Sequence, residues 1–281
     1  MHVNKIKKEV LYLIPSILGV VIFILFPFVI VVFKSFKNTT SYNIFENYST
    51  VLTNSAFKLA LKNSLLFMVI NVSIILMLSL IISYILINSK YISRILEILF
   101  SMPIAVPTIA TSLFWKILFD SNGLINGFIN KVGAIPINWI DSNWVVYILS
   151  LIFIWKNIGF SILIWIYSII SVPKSISEAA KLDGASNWQI YIHILVPCCT
   201  KALYLNLLLL IISASKIFRE AYILGGDYPH ESIYMIQHLF NNWLRDYNIN
   251  NIAVAGTLYL LILVSIIFAI YLLIKILGGK K

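Results

Sequence analysis

Six mostly apolar runs, each long enough to cross a bilayer as a helix, leave this 281-residue chain few ways to fold. They lie at about 10–33, 64–87, 95–119, 144–171, 202–224 and 252–277. A hydrocarbon core of about 30 Å needs about 20 helical residues at 1.5 Å each. In lipid every backbone N–H and C=O must find a partner inside the chain, which helices supply segment by segment. The alternating apolar and polar pattern of a membrane barrel is absent. Charged residues make up 11% of the chain, against about 25% in a soluble domain. The sequence therefore predicts an all-α integral membrane protein with about six transmembrane helices in a single membrane domain over residues 1–281.

Lysine and arginine set the expected orientation. With both termini cytoplasmic, the inner side holds Lys5, Lys7, Lys8, Lys90, Arg94, Lys174, Lys181, Lys201, Lys275, Lys280 and Lys281. The outer side holds Lys34, Lys37, Lys58, Lys62, Lys131 and Arg245. The excess favours both termini inside. The first apolar run is too long for the core of a signal peptide and lacks a small-residue cleavage site, so it reads as an uncleaved span. The outer loops, about 34–63, 120–143 and 225–251, are too short for cores of their own.

Several function classes recede on composition. The net charge of +10 has no basic stripe with interleaved aromatics, which argues against a nucleic-acid partner. Cys198 and Cys199 are sequence neighbours, so they suit neither a disulfide nor a metal site. His2, His193, His230 and His238 show no metal-ligand spacing, and no metal is expected. A membrane enzyme would need a carboxylate pair, a His–Asp dyad or a metal cluster within the spans. Glu220 is the one acid well inside a proposed span. No G-x-x-x-x-G-K-[ST] loop is present to cradle a nucleotide phosphate.

Between the fourth and fifth runs sits a polar insert, about 172–197, reading V-P-K-S-I-S-E-A-A-K-L-D-G-A-S-N-W-Q-I-Y-I-H-I-L-V-P. Ser175 to Glu178 fits a capping box. Ala179 to Leu182 are good helix formers, and Gly184 suits a left-handed cap. Ser186 to Gln189 fits a second capping box, with Pro197 opening the next span. The expected order is helix, glycine turn, helix, membrane. Ala179 and Ala180 predict a low-relief face for a partner's groove, and Glu178 and Asp183 offer it charge.

The pattern Glu178-Ala179-Ala180 and Asp183-Gly184-Ala185, followed by Leu195 and Pro197, resembles the cytoplasmic EAA loop of bacterial ABC-importer permeases. Collinear segments extend the likeness to the sugar and glycerol-phosphate branch. They are Pro15 to Pro27 with Lys34-Ser35-Phe36, Asn47-Tyr48, Asn63-Ser64, and Pro103 to Trp115 with Leu118-Phe119. Gly123-Leu124-Ile125-Asn126, Trp155 to Phe160 and Gly225-Gly226 complete the series. The chain departs from that branch where Asp227-Tyr228 intervenes before Pro229 and where Arg219-Glu220 precedes the glycines. The resemblance implies a transport subunit rather than an enzyme, in a bacterial plasma membrane, working by alternating access. It implies a second homologous permease, an ATPase dimer that binds the ATP and magnesium, and an extracellular solute-binding protein. This chain itself would carry no cofactor. Coupling to the ATPase falls to Glu178, Ala179, Ala180, Asp183 and Gly184.

Ionisable residues inside spans are costly and mark candidate function. Lys156, Lys216, Arg219 and Glu220 stand out, and Lys216 and Glu220, four residues apart, are placed to pair. Lys116 is expected to snorkel to the interface. Trp115, Trp155, Asn157, Ser213, Ser215, Lys216, Arg219, Glu220 and Tyr222 form the candidate solute pathway, with a chemistry suited to a carbohydrate. The cationic excess also fits an acidic or phosphorylated solute. An ion-coupled secondary transporter is the rival class, but it leaves the insert without a purpose.

Overall fold

The computed structural model describes residues 12–36, 44–89 and 94–278, and every element among them is helical. Of the expected topology signals, Lys5, Lys7, Lys8, Lys37, Lys90, Lys280 and Lys281 lie outside these residues, as does the start of the first run at Val10. The chain divides into two compact units, Met1–Lys58 with Phe240–Val264, and Leu59–Leu239 with Ser265–Lys281.

The first unit contains α1 (Tyr12–Phe36) and α2 (Ile44–Thr53). The most apolar stretch of α1 has none of its residues buried, as suits a helix that meets lipid. Its end is tied down by Ser35, whose hydroxyl shares a 2.8 Å hydrogen bond with the Tyr48 hydroxyl. The Asn47 amide donates to the Ser35 carbonyl at 3.4 Å. The Asn47-Tyr48 pair legible in the sequence thus fixes the exit of the first span.

Two long helices, α3 (Ser55–Asn88) and α13 (Ile249–Gly278), belong in part to each unit. The second unit otherwise comprises α4 (Arg94–Ala105), α5 (Thr108–Leu118), α6 (Leu124–Lys131), α7 (Val145–Ile170), α8 (Lys174–Leu182) and α9 (Asn187–Cys198). Then come α10 (Thr200–Ser215), α11 (Phe218–Gly225) and the start of α12 (Ile236–Arg245). Helices α1, α3, α7 and α13 are each long and apolar enough to cross a membrane. The third run, read from the sequence as a single span, is the bent pair α4 and α5, turned through 87°. Pro107 accounts for the break, since it lacks an N–H and disfavours helical geometry at Val106. A 75° bend at Cys199, ahead of the fifth run, separates α9 from α10, and the run itself is interrupted at Lys216–Ile217, between α10 and α11.

Two π-turns, Val21–Leu25 and Tyr191–Leu195, each end two residues before a proline, Pro27 and Pro197. A proline ring inside a helix clashes with the carbonyl four residues back. Widening the preceding turn moves that carbonyl away, and the Phe26 and Val196 N–H groups reach back five residues, to Val21 and Tyr191.

Packing in the second unit depends on small and polar side chains. A Cβ at Gly159 would lie 2.0 Å from the Phe100 carbonyl oxygen, so α4 and α7 meet backbone to backbone and the position admits no side chain. Ser161 donates to Ser79 at 2.8 Å, and the Asn206 amide donates to the Ser161 hydroxyl at 2.8 Å. This buried seam ties α3, α7 and α10 together. Asn63 donates to the carbonyls of Glu231 and Tyr234, and Ser64 accepts the Ile236 N–H at 2.9 Å, pinning the 225–239 segment to α3. Asn126 holds the 120–143 loop: its amide nitrogen lies within hydrogen-bond reach of the Asp120, Ser121 and Ile137 carbonyls, and its oxygen accepts from Ile137 N–H and Trp139 Nε1–H at 3.0 Å each.

Candidate functional site: a polar cleft and an exposed insert

Along α7, Lys156 is roughly 16 Å from the helix start at 1.5 Å per residue, near the middle of the span. Its ammonium lies 3.0 Å from a Glu220 carboxylate oxygen on α11 and 2.8 Å from the Thr108 hydroxyl at the start of α5. Both charged side chains are largely buried. The pairing corrects the expected Lys216–Glu220 bridge. The helix does not run through: Lys216 ends α10 and α11 begins at Phe218, so the four-residue register is lost.

Around this pair opens a cavity of about 500 Å³. Asn157, Ser213, Lys216, Arg219 and Glu220 line it, together with Lys156. Trp115, Trp155, Ser215 and Tyr222 are not among its lining residues. Trp155 is exposed, and Trp115 stacks on Phe119 within its own helix end. The cavity adds Ile104, Thr108, Phe153, Ile217, Phe218 and Gln237, which sequence reasoning did not find. Gln237 could have been sought from the unsatisfied carbonyls at the end of α10, because its amide donates to Ser215 O at 3.1 Å. Both helix interruptions, at Val106–Pro107 and Lys216–Ile217, border the cavity. Non-helical backbone at membrane depth is tolerated only where protein covers it or a watery cavity reaches it.

Lys116 does not simply snorkel. Its ammonium donates to the Ile223 carbonyl at 2.9 Å in the last turn of α11, where the helix dipole favours a cation. Beyond it the chain turns at Gly226, whose φ of 73° is strained for any side chain, while a Cβ on Gly225 would meet Pro229 at 2.4 Å. The Gly-Gly signature thus closes on Pro229 despite the intervening Asp227-Tyr228.

Behind the cavity wall, His238 is fully buried. Its Nδ1 accepts the Met235 N–H at 3.1 Å, and its ring lies edge to face against Phe218 at 4.7 Å. Burial pushes its pKa down to about 4, outweighing an upward pull from Asp227. A neutral His238 contributes stability that is full above its ordinary 6.5 and drains as pH falls from there toward 4. The thermal midpoint in detergent should therefore fall between about pH 7 and pH 4.5, and His238→Gln should flatten that slope. An identical slope in the variant would remove His238 as the titrating group.

The insert comes next along the chain after α7. Helix α8 begins at Lys174 with Pro173 as its N-cap and no side-chain cap. This corrects the expected Ser175–Glu178 capping box, since the fixed φ of Pro173 starts the helix two residues earlier. Gly184, at φ 84°, ends α8 in a Schellman turn: Ala185 N–H reaches Ala180 O and Gly184 N–H reaches Lys181 O, each at 3.0 Å. Ser186 and Gln189 form the expected capping box of α9. Glu178, Ala179, Asp183 and Gly184 are exposed, and Leu182 is 90% exposed. Ala180 is buried, so Ala179 and Ala180 do not share one open face. The insert is seated by Tyr191, whose hydroxyl donates to Leu80 O and shares a 2.7 Å hydrogen bond with Ser83. Tyr84 packs edge-on against both Trp188 and Tyr191.

Membrane-crossing helices broken around a charged cleft, joined to an exposed and capped helical insert, define a transport subunit of the permease class. Residues 86–280 match the family of binding-protein-dependent transport system inner membrane components, and the chain belongs to it. It is a permease subunit of an ABC importer. The osmoprotective compounds uptake permease protein GgtC of Synechocystis sp. is 28% identical over 82% of this chain and 87% of its own length. The arabinooligosaccharides transport system permease protein AraP of Bacillus subtilis is 27% identical, covering 98% and 90%. The trehalose/maltose transport system permease protein MalF of Thermococcus litoralis is 28% identical, covering 79% and 77%. A crystal structure of a bacterial ABC transporter that imports the acidic polysaccharide alginate superposes with a TM-score of 0.80 over 97% of each chain, at 19% identity.

Proposed function

We propose that this permease subunit conducts a carbohydrate, delivered from outside by a solute-binding protein, through the cleft around Lys156 and Glu220. The observation that carries the reading is that cleft: a polar cavity near the middle of a span, bordered by the helix breaks at Val106–Pro107 and Lys216–Ile217. Relatives named for arabinooligosaccharides, trehalose and maltose support the solute class. Asn157, Ser213, Lys216, Arg219 and Glu220 form the wall of the path on this side, with Thr108 and Gln237. Trp115, Trp155, Ser215 and Tyr222 are not among the residues that line it.

In this reading both termini are cytoplasmic and the insert faces an ATPase dimer, which binds ATP and magnesium. Glu178, Ala179, Asp183 and Gly184, with the projecting Leu182, form the surface it grips, with Ala180 buried behind it. A second permease completes the translocation pathway. Gentle solubilisation of the tagged chain should recover a related permease and an ATPase, and saccharide uptake should require the chain and ATP. Uptake that collapses with the ion gradient while ATP is held constant would instead identify an ion-coupled carrier.

A further inference from the structure

The cavity wall holds more positive charge than it neutralises. Lys156, Lys216 and Arg219 are its cations and Glu220 its one carboxylate, so two positive charges remain. Lys156 is committed, with Glu220 at 3.0 Å and Thr108 at 2.8 Å. Lys216 and Arg219 form no ion pair among the described residues. Their backbone setting adds to the same sign. Helix α11 starts at Phe218, its N-cap Ile217 has no side chain able to accept, and no side-chain cap is present. The first N–H groups of a helix have no intrahelical partner and carry the positive end of its dipole. Ile217, Phe218 and Arg219 all line the cavity, so this end of the helix opens on it. A neutral sugar offers both cations hydroxyl oxygens alone, whereas an anionic group offers them charge-assisted hydrogen bonds, which are about twice as strong.

We propose that the solute carries an anionic group, a carboxylate or phosphate on a sugar frame, and that Lys216 and Arg219 bind that group at the start of α11. The proposal rests on the carbohydrate reading above and narrows it. An arginine fork matches two oxyanion oxygens at once, and a lysine adds a point charge beside it. Broken membrane helices place a helix start toward an anionic solute for the same electrostatic reason. Phe153 and Phe218 supply apolar wall for the sugar ring.

The test is uptake by cells in which the chain is deleted and then restored, using labelled panels of neutral oligosaccharides, uronate saccharides and sugar phosphates. The expected result is chain-dependent uptake of an anionic saccharide, with the last two panels deciding between carboxylate and phosphate. Lys216→Gln and Arg219→Gln should each raise its half-saturating concentration at least about tenfold at unchanged membrane level. Lys216→Arg, which keeps the charge, should stay near wild type and so separates lost charge from lost folding. Chain-dependent uptake confined to neutral saccharides and indifferent to both glutamine variants would overturn the anionic assignment and leave the carbohydrate reading standing. No chain-dependent uptake from any panel would overturn both.

Discussion

Gly184→Val is expected to cut solute uptake at least about tenfold while the chain stays in the membrane at near wild-type level. Gly184 adopts φ 84° with open space around its missing Cβ, so an added Cβ meets no clash and the cost falls on backbone conformation. A β-branched residue in the left-handed region costs roughly 1–3 kcal/mol. The Schellman turn would yield first, releasing the bonds from Gly184 and Ala185 and re-aiming α8 relative to α9. Gly133 provides the control. It sits at φ 80°, also in open space, and ends α6 with the same pair of turn bonds, Gly133 to Asn130 and Ala134 to Ile129. Gly133→Val imposes equal strain away from the insert and should keep most of the uptake. Equal loss in both variants would show that strain anywhere is harmful and that the insert has no special part in coupling.

The second large effect concerns Lys156 and Glu220. Removing one partner of a buried ion pair leaves the other uncompensated and costs about 3–5 kcal/mol. Lys156→Met strands the Glu220 carboxylate, and Glu220→Met leaves the Lys156 ammonium with only Thr108. Both single variants should lose several degrees of thermal midpoint in detergent. Lys156→Met/Glu220→Met removes both charges and should recover most of that loss, giving a coupling energy above about 1 kcal/mol in a double-mutant cycle. Additive losses would mean that the two charges stabilise the fold independently.

Much of this architecture is legible in the sequence alone. Apolar runs of bilayer length follow directly from the cost of unpaired backbone groups in lipid, so the helices α1, α3, α7 and α13 are readable. Gly184 and the Ser186–Gln189 box are readable too, because capping is a local matter of a few residues. The bends are less accessible. Hydropathy sums over a window and does not register that Pro107 redirects the chain within the third run or that Lys216–Ile217 interrupts the fifth. The ionic partner of Glu220 is hidden for the same reason. A helical register predicts Lys216, and only the interruption after Ser215 and the neighbouring span bring Lys156 into place. Gln237 is harder to find because it lies beyond the glycine turn: the open carbonyls at the end of α10 call for a donor, but nothing local says which distant side chain supplies it.

The hydroxyl and amide bonds from Ser79 to Ser161 to Asn206 also bear on how the subunit can move. Each bond exists at a single angular setting of its two helices, since one residue of roll about a helix axis is about 100° at 3.6 residues per turn. Rolling or sliding any one of α3, α7 and α10 would leave hydroxyl and amide groups dry and unpaired. The three helices are thus geared together and turn as one block. The Tyr191 bonds to Leu80 and Ser83 fasten the insert to that block as a crank is fastened to its shaft. The breaks at Val106–Pro107 and Lys216–Ile217 lie outside that seam, and both border the cleft.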